Sequence, residues 1–279
     1  MKVHHLNTAT LCPLSARLVN GKGSLFGRAR LVCHVLLVER PNGLLLVDTG
    51  IGQDDVADSA RLGPAWVRQV APRLDMQETA LAQLPALGFA PADVRDIAVT
   101  HLDLDHAGGI ADFPDARIHV RTEERDAALA RVGTLGQRRY RPGHFAHGPR
   151  FASFEPGGER WFGFDGVRQL FPGDPDVLLV PLPGHTMGHT GVAVRTGERW
   201  LLHAGDAYFH HGQVRTPPHA PWVLRIFQRR ADAHRGLREA NQERLRVLAA
   251  EHGNEVSIFC AHDPVEMDAF VDHGSRMNG

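Results

Sequence analysis

Histidine and aspartate gather at the ends of apolar runs. Ile97-Ala98-Val99-Thr100 leads into His101-Leu102-Asp103-Leu104-Asp105-His106, and Leu178–Leu182 leads into Pro183-Gly184-His185. Trp200-Leu201-Leu202 is followed by Asp206, and Ile258-Phe259-Cys260-Ala261 by His262. Buried strands of α/β proteins present functional groups from the loops at their ends, so side chains spread over roughly 160 positions can meet. Carboxylates and imidazoles collected in a water-poor pocket are strongly destabilised unless a cation compensates them. Metal binding is therefore the chemistry this set suits. Imidazole nitrogen and carboxylate oxygen favour Zn, Fe, Mn or Co. The turn at 101–106, with His at i and i+5 and Asp at i+2 and i+4, offers more ligands than one ion with an open position needs. Two ions are implied, and Asp206, from a separate strand, can bridge them with both carboxylate oxygens. A pair of ions about 3.5–4 Å apart stabilises both the attacking and the leaving oxygen of a displacement.

The elements that must carry these groups are legible in part. Leu31–Glu39 and Leu44–Asp48 read as a hairpin around Arg40-Pro41-Asn42-Gly43. From Asp54 to Leu87 the pattern is helical, with Pro85 shortening the run and Gly88 as its stop. Strands are expected at Ile97–Thr100, Ile118–Val120, Val177–Leu182, Val192–Val194, Trp200–His203 and Val256–Ala261. Helices are expected around Glu123–Arg131 and Asp232–Glu251, the latter with Leu237, Leu245 and Leu248 on one face. Gly133–Gly158 reads as a long surface excursion, and its Arg138, Arg139, Arg141 and Arg150 as a solvated face, with anion recognition as the alternative.

Composition narrows the class. The 279 residues carry 31 Lys+Arg against 32 Asp+Glu, so no global field gathers nucleic acid or an anionic membrane. Eighteen histidines outnumber 13 phenylalanines. Cys12, Cys33 and Cys260 are odd in number and show no C-x-x-C pattern, which argues against a disulfide framework or a thiolate zinc site. The longest apolar runs fall far short of the ~20 residues of a membrane helix, and the N-terminus lacks the apolar stretch of a signal peptide. A single domain over 1–279 and a cytoplasmic location are the expectations.

The run Thr100–Gly109 follows Leu46-Val47-Asp48-Thr49-Gly50 and precedes Pro183-Gly184-His185-Thr186-Met187-Gly188-His189, Ala204-Gly205-Asp206-Ala207 and Ala261-His262-Asp263. This series resembles the metallo-β-lactamase superfamily, most closely its N-acyl-homoserine-lactone lactonase branch. The resemblance covers roughly residues 30–270. It implies an α/β fold, the four-layer αβ/βα sandwich, with the metals on one edge. It further implies that His101 and His185 hold one ion, that Asp105, His106 and His262 hold the other, and that Asp206 bridges them. His185 rather than His189 is the ligand on this reading, and Asp48 and Asp263 orient ligand imidazoles.

Two departures bear on mechanism. The motif reads H-x-D-x-D-H where most members of the family have H-x-H-x-D-H, so Asp103 stands in a ligand position. If it binds, three carboxylates and a bridging hydroxide balance two divalent ions, which become weaker Lewis acids with a preference shifted toward Mn or Fe. Aspartate is also shorter than histidine and can bind through water instead. The second departure concerns the lactonase tyrosine three residues after the bridging Asp: here that position is Phe209, and Tyr208 is the nearest substitute, with His210 and His211 beyond it.

The leading expectation is a hydrolase that uses two divalent ions, zinc first with Fe or Mn as alternatives, to open a lactone or ester of small-molecule size, with Asp105 or Tyr208 managing protons. Rival readings are thioester hydrolysis of the glyoxalase II kind, iron-dependent oxidoreductase or dioxygenase chemistry, and a non-catalytic metal-binding protein. Neither nucleic acid nor membrane is an expected partner, and monomer and homodimer both stay open.

Overall fold

Alternation along paired strands lays out the architecture of the computed structural model, which describes residues 1–277. The first sheet runs β1 (Lys2–Leu11), β2 (Leu31–Arg40), β3 (Gly43–Val47), β4 (Val94–Ala98), β5 (Arg117–Arg121) and β6 (Arg150–Phe154), in chain order. The second contains β7 (Glu159–Trp161), β8 (Phe164–Phe171), β9 (Asp174–Pro181), β10 (Thr190–Thr196), β11 (Arg199–His203) and β12 (Val256–Phe259), ordered β12-β11-β10-β9-β8-β7. Leu36, Val38, Leu45 and Val47 of the first sheet pack against Val177, Leu179, Val192 and Val194 of the second, forming the core between the sheets. The intervening residues point outward, because successive side chains of a strand alternate faces. Leu37, Leu44 and Leu46 meet Leu84, Ile110 and Ala128, while Leu178, Val180 and Ala193 meet Leu245 and Leu248 of the helix Arg235–His252. Helix, sheet, sheet and helix thus stack in four layers.

Strand direction places the chemistry. β3, β4 and β5 are parallel to one another; β11 pairs parallel with β12, and β9 shares their direction because β10 lies antiparallel to both β9 and β11. The carboxyl ends of β3 and β4, and those of β9, β11 and β12, therefore lie on common edges. Asp48, the 101–106 run, His185, Asp206 and His262 all follow those ends.

Several expectations are corrected here. The 54–87 run is not one helix but short pieces, among them Gln53–Ala57, Pro64–Val70 and Ala80–Gln83. Gly63 and Pro64 divide it, Ala71 takes a left-handed conformation, and Pro85 starts a separate turn that Gly88 ends at φ 86°. β4 stops at Ala98, so Val99 and Thr100 belong to the loop. The 232–251 helix begins at Arg235, where the His234 ring accepts the Leu237 N–H as its cap. Gly133–Gly158 is no bare excursion: it holds the helix Gly133–Arg139 and edge strand β6, and buries Arg139 and His144. Among the described residues no helix is long and apolar enough to cross a membrane.

Candidate metal centre

Four side chains from three loops converge on one point. His101 Nε2, His185 Nε2 and Asp206 Oδ2 surround Asp103 Oδ2, with separations of 3.4 Å (His101–Asp103), 3.1 Å (His185–Asp103), 3.2 Å (His185–Asp206) and 3.8 Å (His101–Asp206). A second group uses the other oxygen of Asp206. Oδ1 lies 3.3 Å from His106 Nε2 and 3.2 Å from His262 Nε2; those two nitrogens are 3.4 Å apart, and Asp105 Oδ2 is 3.7 Å from His262. Bonds of 2.0–2.1 Å to a tetrahedral ion put neighbouring donors roughly 3.3–3.4 Å apart, so both groups have the size of a metal cage. His101 Nε2 and Asp206 Oδ1 are buried with no hydrogen-bond partner, as ligand atoms awaiting a cation would be.

Electrostatics agrees with the geometry. Burial opposes the charge of Asp206, but the imidazoles of His262, His106 and His185 outweigh it and hold the carboxyl well below its usual range. Burial likewise opposes a charged His106, yet Asp206 and Asp48 keep that ring protonated well above the ordinary range. The carboxylates demand positive charge here, which protons or a metal can supply.

The surrounding bonds aim each donor. Asp48 Oδ2 takes the Nδ1–H of His106 at 2.9 Å and a hydrogen bond from the Thr100 hydroxyl at 2.8 Å; that hydroxyl lies 3.0 Å from His101 Nδ1. His262 Nδ1 donates to the Val32 carbonyl at 2.8 Å. In each ring a bond on Nδ1 turns Nε2 toward the cage. The 101–106 turn is itself tied down, because Glu124 accepts the Leu102 N–H at 2.9 Å.

The family model described as the metallo-beta-lactamase superfamily matches residues 28–252. The chain belongs to the metallo-β-lactamase superfamily. It is similar to the probable metallo-hydrolase Rv2300c of Mycobacterium tuberculosis, 42% identical over 264 residues that cover 95% of this chain and 81% of that protein. It also resembles the N-acyl homoserine lactonase AttM of Rhizobium johnstonii, at 28% identity over 84% of this chain and 82% of the relative. Among solved structures, an N-acyl homoserine lactone hydrolase with N-hexanoyl-L-homoserine at its catalytic metal centre shares the fold, with TM-score 0.72 over 96% of this chain and 95% of the other at 22% identity. The chain is a metal-dependent hydrolase of the metallo-β-lactamase fold, and membership implies divalent ions.

Within that fold some sequence expectations need correcting. Tyr208 does not face the cages: it is fully buried and its hydroxyl donates to Glu266 Oε1 at 2.9 Å, among Leu245 and Cys260. Its neighbour Phe209 takes the opposite direction and meets the rings of His185 and His262 at centroid distances of 5.9 and 5.4 Å. Asp263 does not orient a caged imidazole; its Oδ2 accepts from the ring and backbone of His211 at 2.7 and 2.5 Å. His211 is thus bound to Asp263 rather than directed at the cages, and His210 Nδ1 accepts the Gly212 N–H. Arg139, expected on a solvated face, is buried with Nη1 2.7 Å from Asp103 Oδ2. Only its place in a basic run marked Arg139 in the sequence, and that signal does not distinguish a buried cation from an exposed one.

Proposed function

We propose that this superfamily member is a dinuclear hydrolase of lactones or carboxylic esters with an apolar acyl part. His101, Asp103 and His185 would hold one ion and Asp105, His106 and His262 the other, with Asp206 shared. The observation that carries this reading is the division of Asp206: Oδ1 faces His106 and His262 at 3.3 and 3.2 Å, and Oδ2 faces His185 and His101 at 3.2 and 3.8 Å. Zinc suits the nitrogen and oxygen donors best, with Mn or Fe favoured next by the added carboxylate. When bound, such a pair of ions supplies an activated water and a Lewis acid for a carbonyl oxygen.

The protein's own contribution is binding and proton handling. A cavity of about 280 Å³ opens beside Asp105 and His262, walled by Leu11, Val19, Trp66, Phe209, Leu224 and Phe227. Those walls would remove an acyl chain of a few carbons from water and direct its carbonyl to the cages. Asp105 lies where this cavity meets the metal cluster, placed to take a proton on a carboxylate oxygen and return it to the leaving alkoxide. The names of the lactonase relatives support the lactone as the substrate to try first.

The test is metal analysis of protein purified without chelator, followed by a panel of acyl lactones, aryl esters and acyl-glutathiones. Two equivalents of divalent metal and preference for the lactones are expected, with turnover lost on chelation and restored by zinc. Full turnover by the metal-free protein, or by His106→Ala or His262→Ala, would overturn the proposal.

A further inference from the structure

The departure at Asp103 and the buried Arg139 belong together. Asp103 replaces a neutral imidazole of the H-x-H-x-D-H pattern with an anion. Arg139 Nη1 lies 2.7 Å from Asp103 Oδ2, and the arginine side chain is only 5% exposed. Its other terminal nitrogen, Nη2, donates to the carbonyl of Ala231, the last residue of the helix Trp222–Ala231. Carbonyls in the last turn of a helix lack donors of their own and sit at the negative end of its dipole. The guanidinium is therefore held between a carboxylate and a helix terminus, and a buried charge of this kind persists only with such partners. Nη1 also stands 3.0 Å from His185 Nε2, so positive charge already reaches the edge of the first cage.

We infer that Asp103 and Arg139 form a charge-compensated unit, in which the guanidinium cancels the negative charge that Asp103 adds and keeps the protein charge around the ions at that of the H-x-H-x-D-H pattern. Asp103, Asp105 and Asp206 together bring −3, and Arg139 returns the total to −2, the value of a set with histidine in place of Asp103. The weaker Lewis acidity expected from three carboxylates is thereby offset. Arg139 acts through Asp103 as a positioning residue. The inference rests on the two-ion reading of the cluster.

The experiment is a double-substitution cycle read by stepwise release of zinc from the purified protein to a chromophoric chelator, with the second ion as internal reference. Asp103→His alone leaves the guanidinium unmatched and should weaken the first ion's binding roughly tenfold. Arg139→Met alone should tighten it by a similar factor, because an uncompensated carboxylate attracts the cation more strongly. The two together should return affinity to within about threefold of the unaltered protein, and Arg139→Lys should leave it there. Arg139→Gln, which keeps a donor for Asp103 without the charge, serves the same purpose if the Met variant fails to fold. If Arg139→Met or Arg139→Gln weakens zinc binding in both backgrounds, Arg139 is a structural clamp and the inference is wrong. Failure of the unaltered protein to bind two ions would instead sink the dinuclear reading and this inference with it.

Discussion

His189 accepts the backbone N–H of Asp206 on Nε2 at 2.9 Å and donates from Nδ1 to the Leu182 carbonyl at 3.0 Å. Both ring nitrogens are thereby occupied, and burial together with the neighbouring His101 and His185 keeps the ring neutral, well below its usual range. Gly205 completes the fit at φ 52°: a Cβ there would lie 2.6 Å from His189 Nε2. The second histidine of the Gly-His-Thr-x-Gly-His pattern thus fixes the backbone of Asp206. His189→Leu is expected to weaken metal binding or lower kcat/KM by about 10–100-fold, the usual cost of losing a ligand's supporting bond. Chelator competition and lactone kinetics on the same preparation check it, and unchanged values would show that Asp206 is held by other means.

Tyr208 and Phe209 should respond in opposite ways. Tyr208→Phe leaves Glu266 Oε1 without its donor, so stability should drop by about 1 kcal/mol while turnover stays within about twofold. Phe209→Tyr adds a phenol beside His185 and His262, where it can donate to a developing negative charge. A several-fold rise in lactone kcat is expected. Urea melts and initial rates on the two variants separate the roles; a large loss of turnover in Tyr208→Phe would return that hydroxyl to the chemistry.

Glu266 gives the fold a pH dependence. Burial of its carboxyl, then the charge of Asp263, push it up to about 8 from its ordinary 4.5. The native state therefore keeps a proton that the unfolded chain releases, and the contribution present below pH 4.5 is lost as pH rises toward 8. Glu266→Gln should remove this slope and make the protein more stable than the parent by about 1–2 kcal/mol at pH 8, with little difference near pH 4.5. Denaturant midpoints at several pH values measure it; parallel curves for the two proteins would contradict the assignment.

Leu224 narrows the apolar cavity that meets Asp105 and His262. Leu224→Trp fills that space, so kcat/KM for long-chain acyl substrates should fall about tenfold while short-chain substrates lose less than about threefold. Equal losses for all chain lengths would place the acyl group elsewhere.

What could be read from the chain alone is what depends on local pattern. Apolar runs such as Ile97–Val99 and Val177–Leu182 drive their own burial, and the residues that follow them must emerge at a sheet edge. That is why His101, Asp105, His185, Asp206 and His262 were legible as a group, and why the hairpin of β2 and β3 was too. The remainder was set by packing between distant segments. β1 and β6 to β8 carry mixed polar sequences whose strand character comes from the neighbours they pair with, and the 54–87 run breaks wherever proline and left-handed backbone oppose its periodicity. The direction of Tyr208 turned on a single residue of register after a loop. The partner of Arg139 was decided by a helix and a turn 36 residues apart meeting at Asp103. A hydrophobic stretch carries the reason for its burial within itself, whereas a charge is buried only where the tertiary fold supplies its counterion.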